Sequence, residues 1–113
     1  MSAITFSVPI LPGKTDTWKR AIEEIRGPRR SDYEESRRRM GITREVVSLQ
    51  ETPEGDYAVV CLEGDDPASA PQKYLKSEDP FDRWFAKEIL VGTHGMDDSQ
   101  QLPPTQLFMD WQA

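Results

Sequence analysis

This 113-residue chain reads as an α+β domain with the element order β-α-β-β-α-β, and three observations predict it. The opening ITFSV alternates apolar and polar residues, which is the period of a half-buried strand. REVVSLQETPEGDYAVVCLEG reads as two strands around a tight turn, and DPFDRWFAKEILVGTHG carries helix start and stop signals at its two ends. The order gives a four-stranded antiparallel sheet with helices on one face.

Taken in order, Ile4, Phe6 and Val8 fall on one side of the first strand and Thr5 and Ser7 on the other. PILPGKTD closes that strand, and Thr15 or Asp16 is available as N-cap for a helix from about Thr17. In TPEGD, Pro53 presets one backbone angle and Gly55 supplies the positive φ of a tight hairpin. DDPASAPQKYLKS is a short, weak helix or turn interrupted by Pro67 and Pro71. Asp79 opens the second main helix with Pro80 at its first position, and Gly92 or Gly95 closes it. DSQQLPPT is a loop, and QLFMDWQA is the last strand. Residues 1–113 therefore form a single domain with the split pattern of a ferredoxin-like fold.

Composition narrows the function classes. Hydrophobic residues make up 36% and charged residues 30%, the balance of a globular chain. A net charge of -6 argues against nucleic acid, because the arginines are interleaved with Asp32, Glu34 and Glu35 and make poor phosphate trackers. No window approaches the roughly 18 apolar residues of a membrane span. The first residues read as a strand and not as a signal peptide, so the expected location is cytoplasmic. The lone cysteine, Cys61, sits in an apolar run and is expected to be buried and inert. Both sides of the strands carry apolar residues, so a second copy of the sheet is the natural cover and a homodimer is expected.

The segment GPRRSDYEESRRRMGITRE gathers six arginines and four acidic residues. A single helical stripe runs Trp18, Ile22, Ile25, Arg29, Tyr33, Ser36, Met40, and its chemistry turns polar midway, where Pro28 should kink or break the helix. On the second main helix Phe81, Trp84, Phe85, Glu88 and Ile89 share a face, placing one carboxylate among aromatics. Burying it alone is costly, so Arg29 or Arg37 is its expected partner. The predicted cleft has Trp18, Trp84 and Phe85 as walls, Arg29 and Arg37 as substrate-binding cations, and His94, Glu88 and Tyr33 as proton carriers. The plainer alternative makes the same groups structural: core aromatics, an Arg–Glu ion pair, and His94 as a helix C-terminal cap. Solvated pairs Glu34–Arg38 and Glu35–Arg39 account for the outer arginines. No metal and no other cofactor is expected, since there is no Gly-rich phosphate loop and no His-rich ligand set.

PILPGKT, RRSDYEESRRRMGITRE, SEDPFDRWF and the later THGMD resemble an uncharacterised bacterial family of similar length. More broadly the chain is similar to the dimeric α+β-barrel superfamily, in which two ferredoxin-like subunits pack sheet to sheet. That superfamily includes cofactor-independent monooxygenases acting on polyketides, muconolactone isomerases and haem-degrading enzymes. The resemblance implies acid–base chemistry on a planar, polyketide-like small organic ligand. A non-catalytic ligand-binding or structural dimer is the alternative, and a haem-binding protein is a third reading. Trp84 and His94 resemble two members of a haem-degrading triad in placement, but the chain contains no asparagine to complete it.

Overall fold

The computed structural model describes residues 2–97 and 103–113. It is an α+β arrangement of three strands and four helices, compatible with a ferredoxin-like fold. Strand β1 (Ser2–Pro9) leads into α1 (Thr15–Arg26) and α2 (Arg30–Arg39), then β2 (Ile42–Thr52) and β3 (Gly55–Gly64). A 3-10 turn (Pro67–Ser69), α3 (Ala70–Lys76), α4 (Pro80–Phe85) and a π-helical segment (Ala86–Val91) follow. The sheet order is β1-β3-β2, with β3 antiparallel to both neighbours, so β1 and β2 run parallel with β3 between them. Among the described residues no helix is long and apolar enough to cross a membrane.

The hairpin forms as its sequence predicts. Thr52 pairs with Gly55 across a two-residue turn, Gly55 takes φ +142°, and the Thr52 hydroxyl donates to the Gly55 carbonyl at 2.7 Å. Asp79 caps α4, its carboxylate accepting from the backbone N–H of Phe81 and Asp82. By contrast, α1 starts at Thr15, earlier than the expected Thr17, so neither Thr15 nor Asp16 is the N-cap; Lys14 holds that position and has no acceptor oxygen, while the Thr15 hydroxyl donates to Asp56. Pro67 and Pro71 open short helical turns and do not break them, as expected of a residue whose missing N–H is unneeded in a first turn.

Two expectations need correction, whereas the break expected at Pro28 forms: α1 ends at Arg26 and α2 begins at Arg30, because Pro28 has no N–H to continue the ladder. The Glu24 carbonyl there accepts from both Gly27 and Arg29. The second stripe is also rotated: Phe81, Asp82, Phe85, Ala86, Ile89 and Leu90 are buried, while Trp84 and Glu88 sit half-buried at its margin. Finally, the described residues form a sheet of three strands and not four. Residues 103–113 carry no regular secondary structure, and Leu107, Phe108, Met109 and Trp111 are exposed, Phe108 to 92%. Among the described residues this segment pairs with neither edge strand of the sheet, β1 or β2. The loop expected over 98–105 falls partly outside the described residues.

One face of the sheet meets the helices. Val8, Ala58, Val60 and Leu62 are buried there, joined by Trp18, Ala21 and Ile25 of α1 and by Phe81, Phe85, Ile89 and Leu90. Among the described residues no helix covers the other face, where Thr5, Cys61 and Val46 lie in register across the three strands. Cys61 is only half-buried, less enclosed than its apolar run suggests.

Candidate functional site

The helix layer does not close fully onto the sheet. Between them lies a cavity of about 340 Å³, within the range of small-molecule sites. Phe6 and Val8 of β1, Val47 of β2 and Val60 and Leu62 of β3 form its floor. Trp18, Ile22 and Ile25 of α1, Tyr33 of α2, Tyr74 of α3 and Phe85 of α4 wall it. Ala58 and Ala70 also line it, and their small side chains leave space that a larger residue would fill.

The polar side of the cavity is built around Arg37. It is 6% exposed, and its Nε donates to Glu45 Oε1 at 2.7 Å. The Tyr33 hydroxyl donates to the same oxygen at 2.5 Å. Three rings surround the guanidinium, with centroids 4.4 Å (Tyr33), 4.5 Å (Tyr74) and 4.7 Å (Phe85) from its central carbon. Such cation–π contacts strengthen when desolvated. Burial works against the charge, but Glu45 and the two phenols outweigh it and raise the Arg37 pKa. Burial, reinforced by Glu45, raises the Tyr33 phenol. Tyr74 is raised by burial first, against the pull of Arg37. Both phenols are therefore proton donors at neutral pH and not phenolate bases.

Glu45 faces inward because of a bulge. Ile42 pairs with Gly64 and Arg44 with Glu63, so the register slips by one residue around Thr43. From Glu45 onward, Glu45, Val47 and Leu49 lie opposite Leu62, Val60 and Ala58, whose side chains face the helices. A bulge of this kind re-aims a side chain at the cost of local pairing.

His94 reaches the cavity from the other end of the fold. The π-helical turn preceding it bonds Gly92 N–H to the Lys87 carbonyl and His94 N–H to Ile89, each five residues back. A side chain at Gly92 would meet the Glu88 and Lys87 carbonyl oxygens at 2.8 Å, so glycine suits the wider turn. His94 Nδ1 lies 2.9 Å from the Pro9 carbonyl oxygen. A carbonyl only accepts, so Nδ1 carries the proton and Nε2 holds a lone pair. Burial lowers the His94 pKa, against the Pro9 contact that raises it, and the ring is neutral at pH 7.

The cavity thus brings together Trp18, Tyr33, Arg37, Phe85 and His94 of the residues singled out by sequence. It leaves out Arg29, Trp84 and Glu88. Arg29 pairs with Glu24 at 2.8 Å and stacks over Trp84 at 4.2 Å, and neither lines the cavity. Neither arginine pairs with Glu88, because the break at Pro28 carries Arg29 away and Arg37 is taken by Glu45. Glu34 pairs with Arg30 rather than Arg38, while Arg39 does approach Glu35 at 4.0 Å.

Sequence reasoning missed Glu45, Tyr74 and Asp82. Asp82 is 1% exposed and ties three elements together. It accepts from Ser36 at 2.5 Å, from Ser77 at 2.7 Å and from Arg39 at 3.2 Å. Burial pushes its pKa up, but these donors outweigh burial and hold it below the usual carboxylate value. No protein-family model, curated protein or solved structure matches the chain.

Proposed function

We propose that the protein binds a planar, largely apolar organic molecule in this cavity and acts on it by proton transfer, with His94 Nε2 as the base. The observation that supports the reading is the cavity itself: about 340 Å³, walled by Trp18, Tyr33, Tyr74 and Phe85, with few polar groups. A neutral imidazole whose other nitrogen is held by a carbonyl is oriented for general-base work. The Tyr33 hydroxyl is committed to Glu45, and Tyr33 and Tyr74 contribute their rings to the wall. The alternative is binding without turnover, favoured by the way Arg37, Glu45 and Tyr33 satisfy one another as a structural cluster would.

The same reading includes a homodimer. The uncovered sheet face and the exposed Leu107, Phe108, Met109 and Trp111 are the surfaces a second copy would cover.

A thermal-shift screen against planar aromatic acids, polyketide-like phenols and haem tests the site, since a ligand bound only by the native state raises Tm. Ala58→Leu, which adds bulk inside the cavity, should abolish any such shift. A screen without hits in any class counts against the cavity as a binding site. With a ligand in hand, His94→Gln should retain binding and lose turnover. If turnover is absent in the wild type as well, the non-catalytic alternative stands.

A further inference from the structure

The charged side chains that line the cavity are already matched. Arg37 pairs with Glu45 at 2.7 Å, Arg30 with Glu34 at 3.5 Å and Arg26 with Glu23 at 2.9 Å. The Tyr33 hydroxyl donates to Glu45, and the Tyr74 hydroxyl is closed off from solvent beside Ser36. A ligand carboxylate or ammonium entering this space would give up its water for a site whose ions have partners of their own. An unpaired charge is among the costliest groups to bury, so the cavity selects against ions of either sign.

His94 differs from these groups. The Pro9 carbonyl, 2.9 Å away, holds the Nδ1 proton, so Nε2 keeps a lone pair and can accept a hydrogen bond. Arg37 Nη1 and the Tyr74 hydroxyl are unpartnered atoms sealed from solvent, and Nε2 is not among such atoms. The imidazole lines the cavity, and its turn is fastened a second time where the Thr93 carbonyl accepts from the Leu11 N–H at 2.8 Å. An acceptor fixed beside an apolar space is best met by a donor, because covering it with carbon would leave it unpaired.

Resting on the reading of this cavity as a small-molecule site, we infer that its ligand is an uncharged planar molecule with an O–H or N–H group that donates to His94 Nε2. The aromatic body lies against Trp18 and Phe85. A neutral arenol or indole meets this description, whereas an arenecarboxylate or an arylammonium ion does not.

The test is isothermal titration of the full chain at neutral pH with 2-naphthol, 2-methoxynaphthalene and 2-naphthoate, one ring system with a donor, without one and with a charge. The naphthol should bind about tenfold more tightly than either of the others, the worth of one hydrogen bond at a buried acceptor. His94 is the one histidine of the chain, so NMR of the ring nitrogens follows it directly. The Nε2 resonance should move on adding the naphthol and stay in place with the ether. His94→Phe, which keeps a ring without an acceptor, should bind naphthol and ether alike; if that variant does not fold, the wild-type resonance decides. Naphthoate binding as tightly as naphthol would overturn the uncharged class. An ether that matches the naphthol, an unmoved Nε2 resonance, or a naphthol preference that survives in His94→Phe would overturn the donor to Nε2. Each of these results leaves the cavity as a binding site. Binding of none of the three compounds removes the cavity reading, and this inference with it.

Discussion

Arg37 and Glu45 form an ion pair of 2.7 Å inside the protein, eight residues apart in sequence but on different layers, with side chains 7% and 12% exposed. One partner comes from a helix and the other from a strand turned inward by a bulge. Their energetics are asymmetric. A buried pair adds little net stability over a well-packed apolar pair, yet removing one member leaves the other charged in a poor solvent.

Arg37→Met should therefore cost about 3–5 kcal/mol, because Glu45 is left with only the Tyr33 hydroxyl. Arg29→Met is the informative contrast. Its Glu24 partner is half exposed and its Trp84 contact lies outside the cavity, so the loss should be below about 1 kcal/mol. Urea unfolding of both variants decides the matter. Equal costs would mean that the polar stripe is anchored at Arg29, as the uninterrupted helical spacing suggests.

That contrast shows what the sequence makes legible. The hairpin turn, the Asp79 cap and the alternation of β1 rest on local chemistry, and local chemistry is written in adjacent residues. The inward face of α2 depends on how Gly27 and Pro28 re-phase the helix, which spacing alone does not specify. Glu45 was hidden for a similar reason, since a bulge reverses inside and outside for everything beyond it. A signal was present: Ile42 and Val47 both face inward at an odd separation, which strict alternation forbids. Trp18, Phe85 and His94 were accessible because each lies near the end or middle of a strongly patterned segment.

Asp82 is the second buried carboxylate, and its prediction concerns acid stability. Asp82→Ala leaves Ser36 and Ser77 hydroxyls and the Arg39 guanidinium without their shared acceptor and should cost about 3 kcal/mol at pH 7. The folded-state pKa lies below the ordinary value of 3.8, so the unfolded chain binds this proton first. Its stabilising contribution is fully present above pH 3.8 and lost as pH falls through the lowered value. Asp82→Asn should accordingly flatten the decline in melting temperature over that window. An unchanged acid limb would show that the carboxylate carries no charge-dependent stability.

His94 adds a second rise of stability with pH, in a higher window. Its folded pKa lies below the ordinary 6.5, so protonation favours the unfolded state. Stability should rise with pH from the lowered value up to about 6.5 and be flat above it, and His94→Gln should remove that rise. Any turnover should follow the same direction, increasing as the ring loses its proton in the folded state. Activity that peaks below the folded-state pKa would exclude the neutral imidazole as base.

The exposed tail carries the last prediction. Leu107, Phe108, Met109 and Trp111 are 64–92% exposed, a run of large apolar side chains that monomeric proteins seldom leave to water. Among the described residues the outer edge of β1 is also unpaired, since β3 is its one neighbour in the sheet. An open edge and an unplaced apolar segment complement one another, and in a dimer the tail of one copy can occupy the edge or open face of the other. Light scattering of the full chain at micromolar concentration should give twice the monomer mass, and deletion of residues 103–113 should weaken the dimer by at least tenfold in Kd. Phe108→Asp with Trp111→Asp should act in the same direction without shortening the chain. A full-length monomer mass, or a dimer indifferent to both changes, would leave the tail without a role in association.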